Sequence, residues 1–131
     1  MPAKVAGDVI EVRGDVVYRN GAALPQHVLG RCTEGTGAEG ADGDACRWYA
    51  SEVGGRSFRT SRARRGFDAP PVRVPADHVY VLGDHRDMSN DSRNPALGPI
   101  PIARIRGRGL FVHWSSSPDG PRWDRLFHRL D

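Results

Sequence analysis

His78-Val79-Tyr80-Val81-Leu82-Gly83-Asp84-His85-Arg86-Asp87-Met88-Ser89-Asn90-Asp91-Ser92-Arg93 is the stretch that decides the reading of this chain. Its first five residues, mostly β-branched and aromatic, read as a short strand. The eleven that follow hold three aspartates, two arginines, two serines and a histidine. A strand ending in such a loop delivers many hydrogen-bonding groups to one place, and loops held on a rigid sheet are where sites sit.

The flanks agree with a β-fold. Upstream, Pro70-Pro71 opens an extended stretch in which Val72 and Val74, then Val79 and Val81, read as buried strand positions. Residues 8–19 read as two short strands around Gly14-Asp15, with Val9, Glu11 and Arg13 alternating against Ile10 and Val12. Asn20-Gly21 supplies a second turn signal. Arg31 to Asp44 reads as a loop, and residues 46–60 return as strand through Trp48-Tyr49 and Ser57-Phe58-Arg59. Downstream, Asn94 to Pro99 is turn-rich and leads into Ile100-Pro101-Ile102. Residues 103–114 alternate again, which predicts Ile105, Leu110, Phe111, Val112 and Trp114 as core. The tail from Trp123 to Leu130 fits a short amphipathic helix or a final strand. The expected fold is all-β, mainly antiparallel with long loops, in one domain over 1–131 with a loop insertion at about 31–70.

Composition bounds the rest. With 16 Gly and 10 Pro in 131 residues, turns dominate over long helices. No run approaches the ~20 apolar residues of a membrane span, and no signal-peptide pattern opens the chain. As written it reads as soluble, any N-terminal anchor lying outside it. The net charge is +3, with Lys4 the only lysine. Five arginines fall between Arg56 and Arg65, but they lack interleaved exposed aromatics and read as a solvated loop face; no nucleic-acid partner is expected. Cys32 and Cys46 flank a Gly-, Asp- and Glu-rich stretch and are candidates for a disulfide, with two free thiols as the alternative. Closing a loop of about 15 residues contributes on the order of 3 kcal/mol in the chain-entropy model. Four zinc ligands are not assembled by any Cys/His spacing, and no metal or other cofactor is expected.

The polar run resembles, nearly residue for residue, the G-D-N-R-D-N-S-x-D-S-R box of bacterial type I signal peptidases, the membrane-anchored serine–lysine proteases. Gly7-Asp8-Val9-Ile10-Glu11-Val12 resembles the Gly-Asp segment that follows the family's catalytic lysine. Val17-Tyr18-Arg19-Asn20-Gly21 is similar to its V-Y-V-N-G strand and turn, and Val74-Pro75 through Gly83-Asp84 to its approach to the box. Gly98-Pro99-Ile100-Pro101 with Ile105-Arg106-Gly107-Arg108 resembles its G-x-V-P and I-x-G-[RK] segments, so the likeness covers about residues 5–115. His85 and Met88 stand where asparagine is usual, and Asn94-Pro95-Ala96 reads as a short insertion.

The resemblance implies a β-sheet catalytic domain on the extracytoplasmic face of the bacterial inner membrane. There a serine attacks signal peptides of exported preproteins and a buried lysine acts as base. It implies that Ser89 supports that lysine, that Asp91 and Arg93 brace the loop, and that Asp84 pairs with an arginine beside the lysine. Gly83 keeps the turn close to the site, and Arg86 and Asp87 complete the loop's ion-pair network. Counting back from Gly7-Asp8 places the lysine immediately before Met1 and the nucleophilic serine further upstream. The expectation is therefore a fragment, inactive alone, that meets the membrane through an anchor outside it. The alternative is a non-catalytic peptide-binding module or a split-enzyme partner. Lys4 is a poor substitute base: it sits four strand residues away, about 13 Å at ~3.3 Å per residue. Asp84, His85 and Ser89 are too close in sequence for a hydrolase triad. Asp84, His85 and Asp87 read as a hydrogen-bonded loop rather than metal ligands.

Overall fold

The computed structural model describes residues 2–4, 6–32, 46–62 and 68–130. Three two-residue turns build most of the strand pairing. β2 (Val9–Arg13) and β3 (Val16–Arg19) are joined by Gly14 and Asp15, both at positive φ. Asn20-Gly21 carries β3 into β4 (Ala22–Ala23), and Gly54-Gly55 joins β6 (Arg47–Val53) to β7 (Arg56–Arg62), again with positive φ throughout. Positive φ at both turn residues matches the twist of the flanking strands and fixes the hairpin register. Asn20 adds a lock of its own: its Oδ1 accepts from Val9 N–H at 2.8 Å and its Nδ2 donates to Asp8 Oδ1 at 3.0 Å.

With β8 (Ala69–Arg73), these strands form a four-stranded sheet in the order β4-β3-β2-β8. A second sheet, β1-β9-β10, takes β1 from Pro2–Lys4, β9 from His78–Val81 and β10 from Ile100–Pro101. β5 (Gln26–Arg31), β6 and β7 form a third. Every pairing between these strands is antiparallel. This is the all-β, antiparallel architecture the sequence predicts. The core lies where the first two sheets meet, with Ile10, Val12, Val17, Ala69, Val74, Tyr80 and Leu82 packed together and Leu24 and Val72 against them. Cys32 and Cys46 form a disulfide across the open ends of β5 and β6, with Cα atoms 5.3 Å apart. Cys32 N–H also donates to Cys46 O at 3.1 Å. The Arg31–Asp44 loop expected from the sequence lies, from residue 33 on, outside the described residues, as do Arg64 and Arg65.

The strands over 8–19 and the return over 46–60 form where the sequence places them. Residues 103–114 do not become core. Ile105, Leu110, Phe111 and Trp114 are exposed, and Val112 is only half-buried. The segment pairs with the chain's own tail instead of joining a sheet: Val112 N–H donates to His128 O at 2.7 Å and Phe127 N–H to Val112 O at 2.8 Å. Alternation reports that a segment has two different sides; it does not say that one of them meets the core. The tail itself holds a single 3-10 turn, Trp123–Arg125, and one bridge, Phe111 to Arg129. Among the described residues no helix is long and apolar enough to cross a membrane.

Candidate active site

β9 delivers the polar run to the edge of the core, and its first clamp is to that strand. Val81 N–H donates to Ser92 Oγ at 2.9 Å, and Ser92 N–H returns to Val81 O at 3.1 Å. The far end of the loop is thereby folded back beside its beginning. A second clamp reaches β7: Ser61 N–H donates to Asp84 O at 2.8 Å, and Arg86 N–H to Ser61 O at 2.9 Å.

The third clamp is ionic. Arg93 grips Asp91 with two parallel bonds, Nε to Oδ1 and Nη2 to Oδ2, both 2.8 Å, and the side chains are only 5% and 4% exposed. Two parallel charge-assisted bonds fix geometry as well as adding energy. The same carboxylate accepts from Gly83 N–H at 3.0 Å and Arg93 N–H at 3.2 Å. Arg93 Nη2 also donates to Arg86 O at 2.7 Å, and Arg86 Nε to Gly83 O at 2.9 Å. Asp91, Arg93 and Arg86 thus all converge on the backbone around Gly83.

Charge follows from this geometry. Burial pushes the Asp91 carboxyl up, but the hydrogen bonds from Arg93 and Gly83 and the Arg93 charge outweigh it and hold the group below its ordinary value. Arg86 is lowered to about 10, by desolvation first and the neighbouring Arg93 charge second, with Arg62 adding to the repulsion. It stays a cation at neutral pH. Tyr80, fully buried, is raised to about 12 by burial and then by Asp91.

Ser89 sits at the centre of the loop, its N–H donating to His85 O at 3.1 Å. Its side chain lies directly against Gly83, where an added Cβ would collide with Ser89 Oγ and Cβ. Gly83 is not at positive φ, so this close approach, and no backbone requirement, is what excludes a side chain. Asp84 stands at the exposed lip of the loop, its Oδ1 accepting from His85 N–H at 2.9 Å, and Asp87 is half-buried. The structure therefore gathers Gly83, Arg86, Ser89, Asp91 and Arg93 tightly and leaves Asp84 at the rim. Beneath them, Val17, Ser51, Phe58, Leu82 and Arg86 surround a space of about 30 Å³, enough for a water or two.

Three structural partners escape a reading of the sequence. Ser61 anchors the loop from a strand more than 20 positions away, a pairing no local pattern encodes. Ser92 was legible only as polar, and Tyr80 falls on the opposite face from the one that Val79 and Val81 suggest. His85 buries both ring nitrogens with no hydrogen-bond partner among the described residues. Among those residues no group of His, Cys, Asp and Glu is arranged to hold a metal ion.

Residues 4–114 match the family model described as Signal peptidase, peptidase S26. Signal peptidase I of Pseudomonas fluorescens is 29% identical over 86% of this chain and 41% of its own length. Signal peptidase I of Bacillus licheniformis is 30% identical over 81% of this chain and 45% of its own. Thylakoidal processing peptidase 1 of Arabidopsis thaliana is 40% identical over 47% of this chain and 17% of its own. This chain spans less than half the length of each of these relatives. No solved structure matches it. With the clamped polar loop, the all-β frame around it and a family match running through both, this chain belongs to the signal peptidase family, peptidase S26.

Proposed function

We propose that these 131 residues are the part of a signal-peptide-cleaving serine endopeptidase that carries the base-supporting loop. The nucleophilic serine and the lysine base come from polypeptide outside them. The observation that carries this reading is the contact of Ser89 with Gly83 beside the end of β1. β1 runs antiparallel to β9 with Pro2 opposite Val81. Continued in that register, the strand would pass Gly83 two residues upstream of Pro2, which is the position the family pattern gives to the lysine. Lys4, whose backbone pairs with Tyr80, lies four residues downstream of that point and further from Gly83.

The chemistry fits the residues present. A lysine ordinarily titrates near 10.4, so it serves as a base at neutral pH only when its charged form is disfavoured. The Ser89 hydroxyl offers it a hydrogen bond without adding charge. The neutral amine then takes the proton of the attacking serine as the acyl bond forms, and passes it to the departing amine. Water hydrolyses the acyl-enzyme. By this reading the substrates are signal peptides of exported preproteins, cut on the extracytoplasmic side of the bacterial inner membrane.

In the native-length protein, Ser89→Ala should leave KM for a peptide bearing an Ala-x-Ala site nearly unchanged. It should lower kcat on the order of 10²-fold and move the rising limb of the pH profile to higher pH. An unchanged kcat and profile would sink the assignment. β5 is an edge strand exposing Val28 and Leu29, which favours as a second reading the addition of an extended peptide strand without catalysis. Signal-peptide binding without turnover, indifferent to Ser89→Ala, would select it.

A further inference from the structure

The two arginines of the site loop are not equally provided for. Arg93 holds the Asp91 carboxylate, whereas Arg86 has no carboxylate of its own among the described residues. Arg86 Nε donates to Gly83 O, but neither Nη atom has an acceptor among those residues. The charges that act on Arg86 are Arg93, Asp91, Arg62 and Asp15. Asp91 is already gripped by Arg93, and Asp15 Oδ2 lies 3.9 Å from Arg62 Nη1. Three arginines thus share two aspartates, an excess of one positive charge in a half-buried cluster. Buried polar groups are ordinarily paired, and one that is not calls for a water or an ion.

Arg86 also borders the cavity of about 30 Å³ beneath the loop. Gln26 and Ser51, opposite each other on β5 and β6, form a polar side of that space. Ser51 Oγ is 3.1 Å from Thr60 Oγ1; with Thr60 donating, the Ser51 hydroxyl can donate into the cavity. Val17, Leu24, Phe58 and Leu82 supply apolar walls. Glu52 borders the cavity too, but strand alternation turns its side chain to the face opposite Ser51, where the residue is exposed.

We propose that this cavity binds a halide ion, chloride in the cell, with Arg86 as its counter-charge and Ser51 as a hydroxyl donor. A cation taken out of water without a partner is costly, and a small anion beside it offsets that cost. A space that suits a water or two takes a monatomic ion and excludes carboxylates, sulfate and phosphate. The apolar walls favour chloride and bromide over fluoride, since they offer nothing to replace a tightly held hydration shell. Arg86 Nε holds the Gly83 carbonyl and its own carbonyl accepts from Arg93, so an ion that steadies Arg86 steadies the turn under Ser89. Ion binding involves no peptide hydrolysis, so its outcome is independent of the Ser89 assignment.

The test is thermal melting of the 131-residue chain in sodium bromide, chloride, fluoride and sulfate at one ionic strength, with anomalous diffraction from crystals grown in bromide. Bromide and chloride should raise Tm saturably, by about 5 °C at about ten times the dissociation constant, and fluoride and sulfate should not. A bromide peak should lie in the cavity in contact with Arg86 and Ser51. Val17→Ile, which pushes one more methylene into the space, should abolish both effects with Arg86 untouched, and Ser51→Ala should weaken them. The salt series and the bromide peak use the unaltered protein, so they decide the matter even if a variant fails to fold. Three results would overturn the proposal: the same Tm rise in all four salts, water in the cavity at saturating bromide, or bromide at surface arginines alone, an adventitious ion only.

Discussion

Gly83→Ala is expected to destabilise the protein by about 1–3 kcal/mol, the usual penalty for forcing a methyl into a filled site. It should also lower peptidase activity of the native-length protein on the order of 10²-fold or more, since displacements of about 1 Å at a reacting centre have effects of that size. The new Cβ would meet both Oγ and Cβ of Ser89, so the serine cannot escape by a rotamer change alone. Gly83 is also tied down on both sides, its N–H to Asp91 and its carbonyl to Arg86, so the backbone cannot simply retreat. Gly107→Ala is the matched control: an added Cβ there meets nothing within 4 Å, and neither stability nor activity should move appreciably. Thermal melts and a cleavage assay on the two variants decide the matter. A Gly83→Ala protein with ordinary activity would show that Ser89 does not work from this position.

Asp91→Ala should have the largest effect on stability. The substitution leaves the Arg93 guanidinium buried without its bidentate partner, and uncompensated buried charges of this kind lose about 3–5 kcal/mol. For a chain of this size that is on the order of 10–20 °C in Tm. Gly83 N–H loses its acceptor at the same time. The double variant D91A/R93M should recover part of the loss, because it removes the stranded charge as well; additive losses would mean that the pair is not coupled. The pH dependence has a definite sign. Asp91 titrates below its ordinary 3.8 in the native state, so its contribution is fully present above that value and is lost as pH falls through the lower native one. Asp91→Asn should flatten that part of the acid-stability curve.

Much of this was legible in the sequence, for reasons that are local. Gly14-Asp15 and Asn20-Gly21 sit at two-residue turns, and turn chemistry acts over a few residues, so the strands on either side fall in place. The Asp91–Arg93 grip is nearly as local, its partners being two positions apart. What was illegible depends on distant partners. Ser61 reaches the loop through backbone groups, which carry no sequence signature. Ile105, Leu110, Phe111 and Trp114 have the spacing of buried strand residues, but the partner they find is the tail and not the sheet. The Cys32–Cys46 pairing falls between these cases: two cysteines flanking a turn-rich stretch allow a bridge, and the pairing of β5 with β6 brings them together.

The proposed role of the Ser89 loop is to support a base carried by the strand of β1 opposite Gly83. Intact mass and N-terminal sequence of the protein isolated from its source cells test it most directly. The expected result is a longer protein with a lysine two residues upstream of Pro2, and a serine further upstream. A native protein that begins at Met1, or a longer one with a residue other than lysine at that position, would contradict it.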